Sequence, residues 1–267
     1  MTKTAISSVL RNKAVLSHHR LTLSQTEVEF WEYTRGFLEH SREVPRHPRD
    51  ENAKKPRRRD NMAKVRNTVR RLVNSNVTSY GFEAVFLTFT YRENQSDIDT
   101  AWSDWHAFMR RMKARYGNLK YLAVMEFQKR GAVHFHTIFF NLPPTVEKNE
   151  RKEREVAALW SHGFVDIERI RSAKNVGAYV CKYLNKSADD ERLIGKKFFT
   201  TSRGLLRPVV STGEFAKNRM LGMLESEAVE LQETSTYEYG GMPVKYYNYK
   251  RIQIDYGQNR ERCRSVL

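Results

Sequence analysis

The spacing of apolar positions changes several times along this chain, and the changes mark its elements. Residues 82–91, FEAVFLTFTY, are dense in β-branched and aromatic side chains and predict a strand. From Asp97 the period lengthens. Ile98, Trp102, Trp105, Met109, Met112 and Tyr116 recur every three or four residues, which predicts a helix opened by Asp97 and ended by Gly117 as a left-handed cap. Its Trp and Met stripe reads as core. Two apolar runs follow, LKYLAVMEFQ and AVHFHTIFFN, around Lys129-Arg130-Gly131. Gly131 can take a positive φ, so the runs predict a β-hairpin, stopped by Pro143-Pro144.

Helical spacing returns over 146–161, with EKNERKERE as a solvated face, Val156, Leu159 and Trp160 inward, and Gly163 as the stop. FVDIERI predicts a short strand. A helix beginning at Ser172 or Asn175 runs to about Lys186. Residues 196–215 and 236–256 read as β-rich and turn-rich. Toward the N-terminus, residues 1–45 read as helical, most clearly LSQTEVEFWEYTRGFLEH, where Phe30, Tyr33, Phe37 and Leu38 fall on one helical face and Ser24 is placed to cap it. Pro45, Pro48 and Pro56 predict a linker over 45–60. Asp60 then opens a basic helix through Val73. The expected organisation is a basic helical extension (1–80), a central domain (81–215) and a β-rich C-terminal extension (216–267). The strand–helix–hairpin–helix–strand–helix order argues for α+β rather than a doubly wound sheet.

Composition narrows the partner. The chain has 267 residues, 40% of them hydrophobic, enough to build a core. No apolar run approaches the ~18 residues that span a bilayer, and no secretory signal is read at the N-terminus. Cys181 and Cys263 lie far apart, which suits a reducing cytosol rather than a disulfide scaffold. The net charge is +16, and residues 1–80 hold 17 Lys or Arg against 8 Asp or Glu. The densest run is Lys54-Lys55-Pro56-Arg57-Arg58-Arg59. Such a run neutralises phosphates, so nucleic acid is the expected partner; a membrane surface is disfavoured because no apolar anchors accompany it. A GxxxxGK[ST] loop is absent, so no helicase ATPase is expected in this chain.

Two groups carry candidate chemistry. His134 and His136 are two apart on a strand and point to one face. Glu126 lies on the neighbouring strand of the hairpin, within reach if it shares that face. One carboxylate and two imidazoles suit Mg²⁺ or Mn²⁺ used with a phosphate. The second group is Tyr179, Lys182, Tyr183 and Lys186, one face of the later helix. A phenol with a metal and a lysine nearby can attack phosphorus. Each group has a plainer alternative: histidines satisfied in a half-buried sheet, Glu126 paired with Lys129 or Arg130, and tyrosines packing an amphipathic helix.

In combination the motifs resemble the HUH endonucleases, above all the rolling-circle replication initiators of small single-stranded DNA phages and plasmids. Phe86-Leu-Thr-Phe-Thr90, EFQKRGAVHFHTIFF and YVCKYLNK match the family's three motifs in order, and Thr201-Ser-Arg-Gly-Leu-Leu-Arg-Pro208 resembles a stretch that follows them in phage members. The resemblance implies a central antiparallel sheet of about five strands flanked by helices. It implies His134, His136 and Glu126 as metal ligands and Tyr179 as the nucleophile, giving a 5′-phosphotyrosine link and a free 3′-OH. It also implies Lys182 at the phosphate and Tyr183 as the second nucleophile of the two-tyrosine phage type. Thr88 and Thr90 become structural or DNA-contacting. Lys54, Lys55, Arg57, Arg58, Arg59 and Lys186 are expected to hold DNA. The expected partners are single-stranded or hairpin origin DNA and the host helicase, polymerase and single-strand binding protein, in the bacterial cytoplasm. A relaxase fits less well, because relaxases place the tyrosine near the N-terminus and use three histidines. Single-tyrosine transposases lack flanks as long as residues 1–80. A non-catalytic basic DNA-binding protein is the remaining alternative.

Overall fold

The computed structural model describes residues 16–38, 56–146, 149–170, 176–193, 196–239 and 241–252, save the side chains of 38, 56–61, 169, 185–189 and 239. In chain order the elements are β1 (Leu16–Leu23), β2 (Glu27–Leu38), α1 (Pro56–Asn76), β3 (Val85–Tyr91), α2 (Ile98–Tyr116), β4 (Tyr121–Phe127), β5 (Val133–Phe139), α3 (Glu150–Trp160), β6 (Gly163–Arg169), α4 (Val176–Asp189), β7 (Phe199–Thr201), β8 (Val209–Thr212), α5 (Gly213–Glu225), β9 (Val229–Tyr239) and β10 (Met242–Arg251). The fold is α+β, and the chain divides into two compact units, 51–208 and 1–50 with 209–267.

Unit 51–208 is built on an antiparallel sheet of order β6-β3-β5-β4-β7, so the histidine strand β5 lies at its centre. Helices cover both faces. On one side α2 and α3 pack Trp105, Phe108, Met112 and Trp160 against Leu87, Phe89, Phe135 and Met125. All eight are fully buried, and each apolar side chain so placed contributes about 1.5–3 kcal/mol. On the other side α1 and α4 bring Val69, Val73, Val180 and Leu184 onto Phe86, Leu122, Val124 and Ile138. The strict alternation of FLTFT and VHFHTIF sorts side chains to these two faces.

Local signals explain most boundaries. Asp97 accepts a hydrogen bond from the Thr100 N–H at 2.8 Å and caps α2, as expected. Gly117 closes that helix with φ 80° but ψ −149°, so it leaves into extended chain rather than forming the left-handed cap. Helix α3 begins at Glu150, where Asn149 accepts from the Lys152 N–H at 2.9 Å, and stops at Ser161 in the left-handed region with φ 66°. Gly163 therefore opens β6 rather than ending the helix. A Cβ there would lie 2.2 Å from the Thr90 carbonyl oxygen, so only glycine lets β6 approach β3 so closely. Helix α1 starts at Pro56, not Asp60, because proline at a first helical position sacrifices no internal hydrogen bond.

The second unit corrects the N-terminal expectation. The described part of the segment read as helix, 16–38, is the hairpin β1–β2; residues 1–15 and 39–45 lie outside the described residues. It joins the sheet β8-β1-β2-β10-β9. Val28 and Phe30 face a core with Leu21, Leu23, Ala216, Met220 and Tyr249. Intervening positions are polar but paired: Asn248 Nδ2 donates to Glu27 Oε1 at 2.8 Å and Tyr246 Oη to Glu29 Oε1 at 3.1 Å. Ser24 sits in the hairpin turn, its N–H donating to the Glu27 carbonyl at 2.8 Å, not at a helix cap. Three-residue spacing of aromatics coincided with a two-residue strand period, and pairing with β10 decided between them.

Candidate active site

The hairpin β4–β5 forms as its sequence dictates. Gly131 takes φ +92° in the turn, and the Gln128 N–H donates to the Ala132 carbonyl at 2.8 Å. This turn fixes a register that pairs Glu126 with His134 and Val124 with His136. Glu126, His134 and His136 consequently share one face. Glu126 Oε1 lies 3.0 Å from His136 Nε2 and 3.9 Å from His134 Nδ1. One ligand atom from each residue falls within 4.8 Å of the others.

The opposite ring nitrogens are also placed. His136 Nδ1 lies 3.3 Å from Thr88 Oγ1, and His134 Nε2 hydrogen-bonds Thr90 Oγ1. The cause is the cross-strand register, which sets Thr88 against His136 and Thr90 against His134. With each ring's outer nitrogen donating to a threonine hydroxyl, the inner nitrogen keeps its lone pair toward Glu126. Glu126 is only 6% exposed and His136 5%. A carboxylate so buried requires a positive partner. Two imidazole lone pairs and a carboxylate oxygen on one point fit a divalent cation, so this group can hold a metal ion.

Helix α4 brings the tyrosines to the same place. The Tyr183 ring stacks on His136 with centroids 3.8 Å apart, and His136 is backed by Phe86 at 5.8 Å. Tyr183 Oη donates to Tyr179 Oη at 3.1 Å, and Tyr179 Oη donates to Glu168 Oε2 at 3.3 Å. Burial first, then the Tyr183 hydroxyl and the Glu168 carboxylate, push the Tyr179 phenol well above its usual range. Lys182 is exposed, with Nζ 5.4 Å from the centroid of the Tyr179 ring, over its face rather than at its hydroxyl. The resting Tyr179 is thus a neutral phenol.

The helix is seated by two residues that its motif does not include. Gly177 lies against α1, where a Cβ would meet the Arg70 carbonyl oxygen and Asn74 Oδ1, each at 2.7 Å. Its N–H donates to buried Asn74 Oδ1 at 3.1 Å. Asn76, fully buried, ties α1 to a later loop: Nδ2 donates to the Leu72 and Leu206 carbonyls, and Oδ1 accepts from the Leu206 N–H and Tyr80 Oη.

The structure therefore brings together Glu126, His134, His136, Tyr179 and Tyr183, with Lys182 alongside. Lys54 and Lys55 lie outside the described residues. Arg57, Arg58 and Arg59 fall in the first turns of α1 and Lys186 on α4, with side chains that are not described. Glu168 escaped sequence reasoning, as did Asn74 and Gly177. The alternation in FVDIERI places Glu168 on the face of Thr88, but nothing in one sequence shows which face of an edge strand meets a helix.

Comparison with curated proteins and with solved structures gives no match. Residues 84–188 match the family described as Replication-associated protein ORF2. That span begins just before β3 and ends within α4, so it encloses Glu126, both histidines, both tyrosines and Glu168. The chain thus carries the domain of this replication-associated protein family.

Proposed function

We propose that this protein initiates rolling-circle replication by nicking and rejoining single-stranded origin DNA. One observation carries the reading: two phenols and an E/H/H cluster meet on one sheet face, with Tyr183 stacked on His136 at 3.8 Å. Neither group alone would suffice, since buried histidines and packed tyrosines are common.

In this scheme Tyr179 Oη attacks the scissile phosphorus, the P–O3′ bond breaks, and the products are a 5′-phosphotyrosine link and a 3′-OH for a host polymerase. Glu126, His134 and His136 hold Mg²⁺ or Mn²⁺, which when bound polarises the phosphate oxygens and offsets charge that develops there. Thr88 and Thr90 keep both imidazoles in the ligating tautomer. Lys182 is placed to neutralise a phosphate beside Tyr179. Tyr183 is the second nucleophile, used to close one round and begin the next. Lys54, Lys55, Arg57, Arg58, Arg59 and Lys186 grip the strand. Unwinding and strand coating are assigned to a host helicase and single-strand binding protein, in a bacterial cytoplasm. The absence of a helix long and apolar enough to cross a membrane among the described residues accords with this.

The test is a covalent adduct. Labelled single-stranded DNA from the replicon that encodes the protein is incubated with it and Mn²⁺, then denatured. A protein-linked label is expected. Tyr179→Phe alone should abolish it if Tyr179 leads; loss only in the Tyr179→Phe/Tyr183→Phe pair would mean that either tyrosine can begin. His134→Ala should bind DNA without cutting it. Binding with no adduct under any metal or origin sequence would leave the protein a non-catalytic DNA binder.

A further inference from the structure

We propose that Glu168 is the proton acceptor for Tyr179, a catalytic residue for which neither the HxH nor the YxxKY motif has a place. The inference rests on the tyrosine-nickase reading above and adds to it the destination of the nucleophile's proton.

Strand register sets the acids in place. Phe86 pairs with Glu168 and Thr88 with Asp166 across β3–β6, so both acids of β6 lie on the sheet face that carries the histidines. Helix α4 crosses that face and sets Tyr179 Oη 3.3 Å from Glu168 Oε2. The hydroxyl proton has a defined direction, because Tyr183 Oη donates into Tyr179 Oη from the other side at 3.1 Å. The chain of donors therefore runs Tyr183, Tyr179, Glu168.

The groups that surround this contact are Tyr183 and Lys182 on α4, Asp166 on β6, and His136 behind Tyr183. Lys182 is no competitor for the proton: as an ammonium it has no lone pair, and it lies over the ring rather than at the hydroxyl. Burial, Tyr183 and Glu168 all oppose a resting phenolate at Tyr179. The nucleophile must then lose its proton as it attacks, which requires an acceptor already in contact. Glu168 is exposed, so the proton it takes can pass on to water.

In the nicking step the Tyr179 O–H bond breaks and its proton moves to Glu168 Oε2 while the Oη–P bond forms. The P–O3′ bond breaks, its electron pair stays on O3′, and that oxygen takes a proton from water. In the joining step Tyr179 Oη leaves phosphorus and recovers the proton from Glu168. An asymmetry follows between the phenols: Tyr179 reaches the carboxylate directly, whereas Tyr183 reaches it only through Tyr179.

The experiment uses the full chain in a Tyr183→Phe background, so that Tyr179 alone can form the adduct. Single-turnover adduct formation with Mn²⁺ and origin oligonucleotide is compared with binding by fluorescence anisotropy. Glu168→Gln should slow the adduct step by about 10²–10³-fold with affinity within about twofold. Glu168→Asp, which keeps the base on a shorter arm, should recover part of that loss. Without DNA or metal, ¹³C-tyrosine NMR should show the Tyr179 deprotonation midpoint moving down in Glu168→Gln, because a negative neighbour has been removed. An unchanged adduct rate in Glu168→Gln, with adduct present in the parent, would overturn this proposal alone. Equal loss of rate and binding in both variants would also overturn it, as a structural role. A parent that binds DNA and forms no adduct would sink the nickase reading itself, and the proposal with it.

Discussion

Replacing Gly177 by alanine sets two opposing effects against each other at the seat of the tyrosine helix. Alanine is a better helix residue than glycine by about 1 kcal/mol, which favours the variant. Against it stands the 2.7 Å approach of the new Cβ to the Arg70 carbonyl oxygen, which belongs to the backbone of α1 and cannot rotate away. The helices must separate by roughly half an ångström or more to restore van der Waals contact. Overpacking of that kind costs about 1–3 kcal/mol. The same separation stretches the Gly177 N–H bond to Asn74 Oδ1, now 3.1 Å, and Asn74 is 1% exposed. A buried amide oxygen left without that donor costs a further ~1 kcal/mol or more. The balance is a destabilisation of about 2 kcal/mol, or a fall of roughly 1 M in the urea midpoint for a slope near 2 kcal/mol/M. Tyr179 follows Gly177 by two residues, so its hydroxyl moves with the helix, and a displacement approaching 1 Å lowers the adduct rate by about 10–100-fold. Urea unfolding and single-turnover adduct formation read the two effects separately. Asn74→Ala in the same chain should relieve only part of the strain, because the Arg70 carbonyl remains. An alanine variant as stable as the parent would show that helix propensity prevails and that α1 does not press on α4 at this point.

Asn76→Ala removes four hydrogen bonds from a fully buried site and should lower unfolding stability by about 3 kcal/mol; a loss under ~1 kcal/mol by urea titration would contradict the pinning of the Leu206 loop. Thr90→Val and Thr88→Val each remove a hydroxyl from a histidine ring nitrogen, and calorimetric Mn²⁺ affinity should fall about 10–100-fold for each. Exchanging Lys54, Lys55, Arg57, Arg58 and Arg59 together for glutamine should reduce the slope of log K against log salt for single-stranded DNA by up to ~3.5; an unchanged slope would show that the run does not touch DNA. Deleting residues 1–80 is a poor substitute, since it removes two strands of a sheet. Burial, then Glu155, push the Tyr116 phenol up to about 12. The unfolded chain loses that proton from about pH 10. Stability from this group is therefore complete below pH 10 and declines between pH 10 and 12. Tyr116→Phe should flatten the decline of the urea midpoint over that window.

How much of this was legible depended on whether the deciding interactions were local. The β4–β5 hairpin was, because its turn, its alternation and its carboxylate all lie within 126–136, and a turn fixes register without help from elsewhere. The capping of α2 by Asp97 was legible for the same reason. The N-terminal hairpin was not. Phe30, Tyr33 and Phe37 satisfy a helical period as well as a strand, and the choice is made by β10, more than two hundred residues away. The site divides along the same line. His134, His136, Glu126 and the YxxKY face could be named from spacing. Glu168, Asn74 and Gly177 act through contacts between elements that are distant in sequence, and no period announces such contacts. Thr88 and Thr90 were visible as residues, but their bond to the histidine rings depends on β3 lying beside β5 in one register.

The pairing of β2 with β10 also has a temporal meaning. A ribosome delivers Glu29 long before Tyr246, the residue whose hydroxyl holds its carboxylate. The first hairpin must wait, with its longest partner unmade, while the whole of 51–208 emerges. That middle unit contains every strand of its own sheet and can close as soon as β7 is free. Synthesis thus orders the two units: the segment bearing the histidines and tyrosines folds during translation, and the sheet made from both chain ends forms last, across the largest loop the chain can close. A message truncated between the end of that unit and the start of β9 would yield the chemistry without the second sheet, and leave the β1–β2 hairpin with an open edge along β2 where β10 should lie.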